Sequence, residues 1–375
     1  MMVKRHIREI YRKPISATGF PKRIKIIFDK EEYTYHLMEM EDEKLRLRYG
    51  ANPHQPAALY VPETIEREFS KIKILKYAKG GLSASNVEDG YRAMRVVSYF
   101  SKQLTVSIMK HFNPIGVAIA LDEEESTDTV FKKAWNCDPR AAFGCVVGFN
   151  REVNEDVADD IIKTKKYVEC IFAPRYSQKA LEGFKEKKSL RIVQAPLIKL
   201  SHSINPPATY FPYKIEIFED TILLERPFYT KIRSLEDLKK LNENAETGVV
   251  TDREPTTQEM RDMLHAWWVC CEKRSNGIVI WKRDRTLAVG VGQQDRIGAI
   301  EVALQRAKLF GHDLNGSVIA SDGFMLKDNV EPLAKVGVTA IIQPGGSISD
   351  PEIIKKCNEK GITMIFTGER VFRHF

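Results

Sequence analysis

The 375-residue chain has no stretch approaching the roughly 18 consecutive apolar residues a membrane-spanning helix needs, and its basic opening MMVKRHIREIYRK lacks a signal peptide's apolar centre. A cytoplasmic protein is therefore expected. No Cys-x-x-Cys pair occurs among Cys137, Cys145, Cys170, Cys270, Cys271 and Cys357, so no zinc cage and reduced, mostly structural thiols are the expectation. Also missing are His-x-Glu with a later Pro-Cys-x-x-Cys, Gly-x-Ser-x-Gly and a Walker lysine loop, which argues against zinc deamination, serine hydrolysis and P-loop ATP chemistry. Low-complexity segments and a basic arm are lacking too. The net charge of +7 comes from Lys and Arg interspersed with Asp and Glu, a pattern that small anionic ligands explain as well as a nucleic acid would.

What is present is an ordinary globular composition, 43% hydrophobic and 29% charged, with enough length for two packed lobes. Residues 1–45 read as an N-terminal extension in which RIKIIFDKEEYTYHLMEMEDE alternates as two short strands. From QLTVSIMK to LRIVQAP, strand-like apolar runs alternate with amphipathic helical stretches, an α/β pattern assigned to a first lobe, 46–200. A less regular connecting segment, 201–255, follows. The second lobe, 256–375, opens with Thr256 and Glu259 at capping-box spacing and Met260, Met263, Leu264, Trp267 and Cys271 on one helical face. The Trp267-Trp268 pair reads as core with a surface or interface contact.

In such sheets ligands collect beyond the carboxyl ends of strands, which draws attention to IMKHFNPIGVAIA. Lys110 and His111 leave a buried strand there and precede the turn former Asn113-Pro114. An edge lysine and a histidine donating to a nearby carbonyl would look the same. An imidazole base beside an ammonium that steadies developing negative charge would, however, suit acyl transfer to a weak amine. LRLRYGANPHQ gathers Arg46, Arg48, Tyr49, Asn52 and His54, either a solvated turn or a clamp for a phosphate monoester. GVGQQDRI has too few glycines to be more than a weak dinucleotide signal.

Taken in order, RYGANPHQ, KHFNPIGVA, AAFGCVVGFNREV, VECIFAP, KRSN with VGVGQQDRI, ASDGF and RVFRH give the chain a resemblance to the formyltransferase half of the bifunctional purine-biosynthesis protein, the AICAR (aminoimidazole carboxamide ribonucleotide) transformylase family. The resemblance implies transfer of a formyl group from 10-formyltetrahydrofolate to the 5-amino group of AICAR. His111 would then be the general base, helped by the substrate's carboxamide, and Lys110 would support the oxyanion and the departing folate nitrogen. Arg48, Tyr49, Asn86, Gly144, Arg370 and Phe372 match the nucleotide-binding group. Phe143, Glu169, Asn276, Arg296 and Phe324 match the folate side, with Asn276 also orienting the formyl group. The implied fold is two cytidine-deaminase-like α/β subdomains without zinc, in a homodimer whose interface builds each site. The family resemblance also admits a monovalent cation.

Three departures qualify it. Only 47 residues precede Arg48, too few for the cyclohydrolase domain of bifunctional members, so no cyclohydrolase activity is expected. SDGFMLKDN replaces the family's aromatic-rich Ser-Asp-Ala-Phe-Phe-Pro-Phe run, leaving Phe324 with Met325 and Leu326 to pack on the pteridine. Phe375 extends the usual Arg-His end. The alternatives are the same AICAR acceptor with formate and ATP as donor, and a non-catalytic AICAR-binding regulator.

Overall fold

The computed structural model describes residues 19–38, 47–63, 68–78, 80–200, 212–244 and 246–374. Arg46 and Phe375 lie outside the described residues. The expected α/β fold is present, divided into two compact units: Met1–Ser98 with Gly144–Pro227, and Tyr99–Phe143 with Phe228–Phe375.

In the first unit, Val-, Ile- and Phe-rich runs form three parallel strands, Cys145–Phe149, Val168–Ala173 and Arg191–Gln194, with Lys73–Lys76 antiparallel at Arg191–Gln194. Helix Ala84–Tyr99 turns Val87, Met94 and Val97 onto a core containing Leu82, Val146, Cys170, Phe172 and Val193. Gly90 lies in that helix because a Cβ there would collide with the Phe172 ring. Helices Glu155–Lys163 and Gln178–Phe184 start at side-chain caps, Asn154 and Ser177. The lead-in's two expected strands form the antiparallel hairpin Arg23–Phe28 and Glu31–Leu37, with Tyr60–Pro62 added at its side. Part of the connecting segment forms a second hairpin, Lys214–Phe218 with Thr221–Glu225.

In the second unit, the strands run in the order Gly248–Val249, Thr363–Phe366, Ala340–Gln343, Val318–Ser321, Ile278–Lys282, Arg285–Gly290, Asn113–Ile119, Thr105–Lys110. Pairing is parallel from Thr363–Phe366 through Val318–Ser321 and antiparallel beyond. Helix Thr257–Cys270 has the expected capping box. Trp267 and Trp268 are both buried, their indole N–H groups donating to Thr230 Oγ1 and Ile232 O.

Two expectations need correction. Residues 99–143 do not stay with the 46–200 lobe: Asn113–Ile119 pairs with Arg285–Gly290, and Val117 N donates to Thr286 Oγ1 at 2.9 Å. Nor is Asn113-Pro114 the turn. A strand begins at Asn113, and the turn is His111-Phe112, so the Lys-His pair sits at a hairpin tip. Among the described residues, no helix is long and apolar enough to cross a membrane.

Candidate active site

The hairpin tip is the first element of the site. Strand Thr105–Lys110 is buried to Met109, Lys110 is half-buried and His111 is exposed. His111 and Phe112 take φ values of 53° and 67°, the left-handed pair that a two-residue turn needs to match strand twist. Asn-Gly normally fills such a turn. Non-glycine residues there store strain of about 1–3 kcal/mol each, which surrounding contacts must hold. Asn113 supplies two of them: its Nδ2 donates to His111 O at 2.9 Å, and its Oδ1 accepts from Arg274 N at 2.8 Å. The Lys110 ammonium donates to Phe143 O, beside the exposed Phe143 ring.

The segment that Asn113 reaches carries Asn276, after a cis Ser275–Asn276 peptide. The Asn276 amide is held on both sides: Nδ2 donates to Gln293 O at 2.9 Å, and Oδ1 accepts from Arg296 Nη2 at 2.8 Å. Arg296 also donates through Nη1 to Gly277 O and to the Asp322 carboxylate, so much of its donor set is spent inside the protein. Asp322 is a hub. It accepts from Lys273 Nζ (2.8 Å), Ser275 Oγ (2.6 Å) and Gly277 N (3.2 Å) as well. Burial pushes its pKa up, but the Lys273 and Arg296 charges outweigh that and hold it below the ordinary carboxylate range. The Lys273 and Asp322 side chains are both 0% exposed. Gly277 allows this, because a Cβ there would collide with Lys273 Nζ.

Arg370, Phe324 and Phe372 share one surface of the same unit, with the Arg370 guanidinium 5.5 Å from the Phe324 ring centroid and 6.0 Å from that of Phe372. Both rings are partly exposed. The carboxyl-terminal stretch is anchored behind them: Val371 N donates to Asp322 O, Ser275 N to Arg373 O, and Arg373 N to Ser275 Oγ. A Cβ on Gly323 would crowd Arg296 and the Phe372 ring. Met325, expected to face a ligand, is 0% exposed in the core, where its N–H donates to Gln343 Oε1, so of the FML run only Phe324 and Leu326 are open.

A second group lies in the first unit. Arg48 N donates to Leu82 O, and Ala84 N to Tyr49 O, which docks the RYG loop on the start of helix Ala84–Tyr99. Ser83 and Asn86 exchange bonds across that helix start, and Asn86 Nδ2 donates to Glu169 Oε2 at 3.2 Å. Gly144 takes a φ of 77°, and its N–H donates to Tyr167 O. Glu169 thus sits with Asn86. The Arg48 guanidinium stacks 4.9 Å from the Tyr49 centroid, and its buried Nε has no hydrogen-bond partner. Burial lowers its pKa, Tyr49 and Glu169 partly offset this, and the nearby Arg191 lowers it further. Asn52 and Gln55 close the adjacent turn on each other, a structural role, and His54 is exposed.

Sequence reasoning missed Arg191, Tyr167 and Lys273. Arg191 is 4% exposed and donates through Nε to Gly81 O, next to the Leu82 carbonyl that holds Arg48. A basic residue opening an apolar strand was the only available signal. Among the described residues, no group of three His, Cys, Asp or Glu could hold a metal ion. The Asp322 charge is already met by Lys273 and Arg296, so that carboxylate does not fit a monovalent cation.

Residues 16–306 match the family model described as "AICARFT/IMPCHase bienzyme". The "Bifunctional purine biosynthesis protein PurH" of Aquifex aeolicus is 37% identical over 362 residues, covering 96% of this chain and 64% of that protein. The protein of the same name from Lysinibacillus sphaericus is 36% identical over 359 residues, covering 96% and 65%. That from Caldicellulosiruptor saccharolyticus is 40% identical over 334 residues, covering 88% and 59%. The chain therefore spans less than two thirds of these curated relatives. With a family model matched over more than half its length, it belongs to the AICARFT/IMPCHase family.

Proposed function

We propose that the chain transfers a formyl group from 10-formyltetrahydrofolate to the 5-amino group of AICAR. The observation that carries this reading is the hairpin tip. It presents His111 and Lys110 on a turn whose Asn113 is bonded to the segment bearing Asn276. The AICAR amine is a poor nucleophile because its lone pair is delocalised into the ring carboxamide. As it attacks the formyl carbon, His111 takes its proton, assisted by that carboxamide. Lys110, with two ammonium hydrogens beyond the one used at Phe143 O, steadies the oxyanion. Collapse breaks the bond to folate N10, which receives the proton. The second hydrogen of Asn276 Nδ2 orients the formyl oxygen, while Arg296 fixes the amide.

Arg48, with Tyr49, Asn86 and Gly144, takes the nucleotide, its buried unpartnered Nε meeting the phosphate. Arg370 and Phe372 keep the nucleotide-side role that the family resemblance implies. Phe143, Phe324 and Leu326 offer apolar surface to the pteridine, and Glu169 a polar contact on the folate side. The proposal includes cytidine-deaminase-like subdomains, a homodimer as the working form and a cytoplasmic location.

The test follows tetrahydrofolate by absorbance and the nucleotide product by chromatography. Formyl-AICAR is the expected product. AICAR binding without turnover would favour the regulator, and turnover only with formate and ATP would favour the other donor. The burial of Met325 is the observation behind that second reading. Replacing His111 with Ala is expected to lower turnover about 10²–10⁴-fold with AICAR binding retained; normal turnover removes the base assignment.

A further inference from the structure

The geometry points to Asn113 as the positioning residue that holds the His111 turn and the Arg274–Asn276 segment in register, a role that rests on the formyl-transfer reading. Its amide uses one donor and one acceptor on two backbone sites 163 positions apart in sequence, His111 O and Arg274 N. His111 and Phe112 both sit at positive φ, so the turn is a strained one that relaxes unless something grips its carbonyl. Strand pairing closes the turn at Lys110 opposite Asn113 but does not engage the His111 carbonyl, and the next pair, Met109 opposite Pro114, lacks an N–H to reinforce it. On the other side, Arg274 N lies two residues before Asn276, whose amide is already fixed by Arg296 and Gln293. One short side chain therefore sets the distance between the base and the formyl-orienting amide. Aspartate and alanine separate the two bonds: Asp keeps an acceptor for Arg274 N and loses the donor to His111 O, whereas Ala loses both.

The experiment compares wild type, Asn113→Asp and Asn113→Ala. It measures turnover, AICAR affinity by calorimetry, melting temperature, and hydrogen exchange at the Arg274 amide. Both variants are expected to lose kcat by about 10²-fold, the cost of misplacing a reacting group by an ångström or so. AICAR affinity and melting temperature should stay within a factor of about 3 and a few degrees of wild type. Arg274 exchange should quicken in Asn113→Ala and stay protected in Asn113→Asp. A kcat within twofold of wild type in Asn113→Ala overturns the role. So does a loss of activity that merely follows falling affinity and melting temperature. An inactive wild type would instead dispose of the formyl-transfer reading; unchanged Arg274 protection in Asn113→Ala would then still overturn the link itself.

Discussion

The two groups of polar side chains treat charge in opposite ways. In the first unit, Arg48 and Arg191 lie near a single carboxylate, Glu169, and a buried guanidinium nitrogen of Arg48 is left unmet. In the second, Asp322 gathers Lys273, Arg296, Ser275 and a backbone N–H around one carboxylate. Excess buried positive charge is costly until an anion arrives, which suits the nucleotide-binding role proposed for the first group. A closed network gains nothing from a ligand's charge; its return is a fixed geometry, here that of Asn276. On the proposed reading, binding and positioning are divided between two sets of residues.

The largest effect should come from opening the closed network. Asp322→Asn leaves Lys273 buried without a counter-charge, and breaking such a pair costs about 3–5 kcal/mol. Urea unfolding should show that loss together with falling kcat. A variant as stable as wild type would mean that the network is not rigid.

The next effect concerns a half-buried histidine in the same unit, one of whose ring nitrogens is enclosed without a partner. His265 packs among Phe100, Trp268 and Trp281 with its Nδ1 unpaired. Burial, reinforced by the nearby Arg261 charge, lowers its pKa to about 4. Between pH 6.5 and 4 the unfolded chain therefore takes up a proton that the folded one refuses. Stability is full above the unfolded value and falls as pH drops through this window, by about 3 kcal/mol at most. Denaturant midpoints measured from pH 7 to 4 should slope accordingly, and His265→Phe should flatten the slope. An unchanged slope would assign the effect to other groups.

Arg48→Met tests the binding side. Removing the charged contact should raise the AICAR KM by the equivalent of about 1.5–3 kcal/mol, roughly 12- to 160-fold, with kcat less affected. Stability should hold or rise, since a buried, partly unmet charge is gone. Loss of stability on the scale of Asp322→Asn would erase the contrast between the two groups.

How much of this was legible in the sequence depended on the range of each interaction. The α/β alternation, the lead-in hairpin and the Thr256–Glu259 capping box are local, and could be read directly. Helix Ala84–Tyr99 was not read, because Gly90 signals a break; its reason is the Phe172 ring, far along the chain. The His111-Phe112 turn was hidden because neither residue is a normal choice at positive φ, which pushed the expected turn onto Asn113-Pro114. Lys273 does not stand out in CEKRSN, and only the fold supplies Asp322, 49 positions away, to bury it. The motif residues could be listed in advance, but their contacts could not: Asn86 bonds to Glu169, and Arg370 lies over the Phe324 and Phe372 rings.

The smallest effect probes the least furnished part of the site. Leu326 is 43% exposed, Phe324 36% and Phe372 40%, whereas Met325 is turned into the core. An aliphatic side chain gives a flat heterocycle dispersion without offset stacking, and an added aromatic pair is worth about 0.5–1.5 kcal/mol. Leu326→Phe should then lower the KM for 10-formyltetrahydrofolate by about 2- to 12-fold, leaving the AICAR KM and stability unchanged, because the Leu326 side chain is exposed and its hydrogen bonds with Asn329 are made by its backbone N–H and carbonyl. A selective gain for the folate would place the pteridine over this face and keep the second unit as the donor side. A gain for AICAR instead would move the nucleotide there, and with it the division of labour between the two groups.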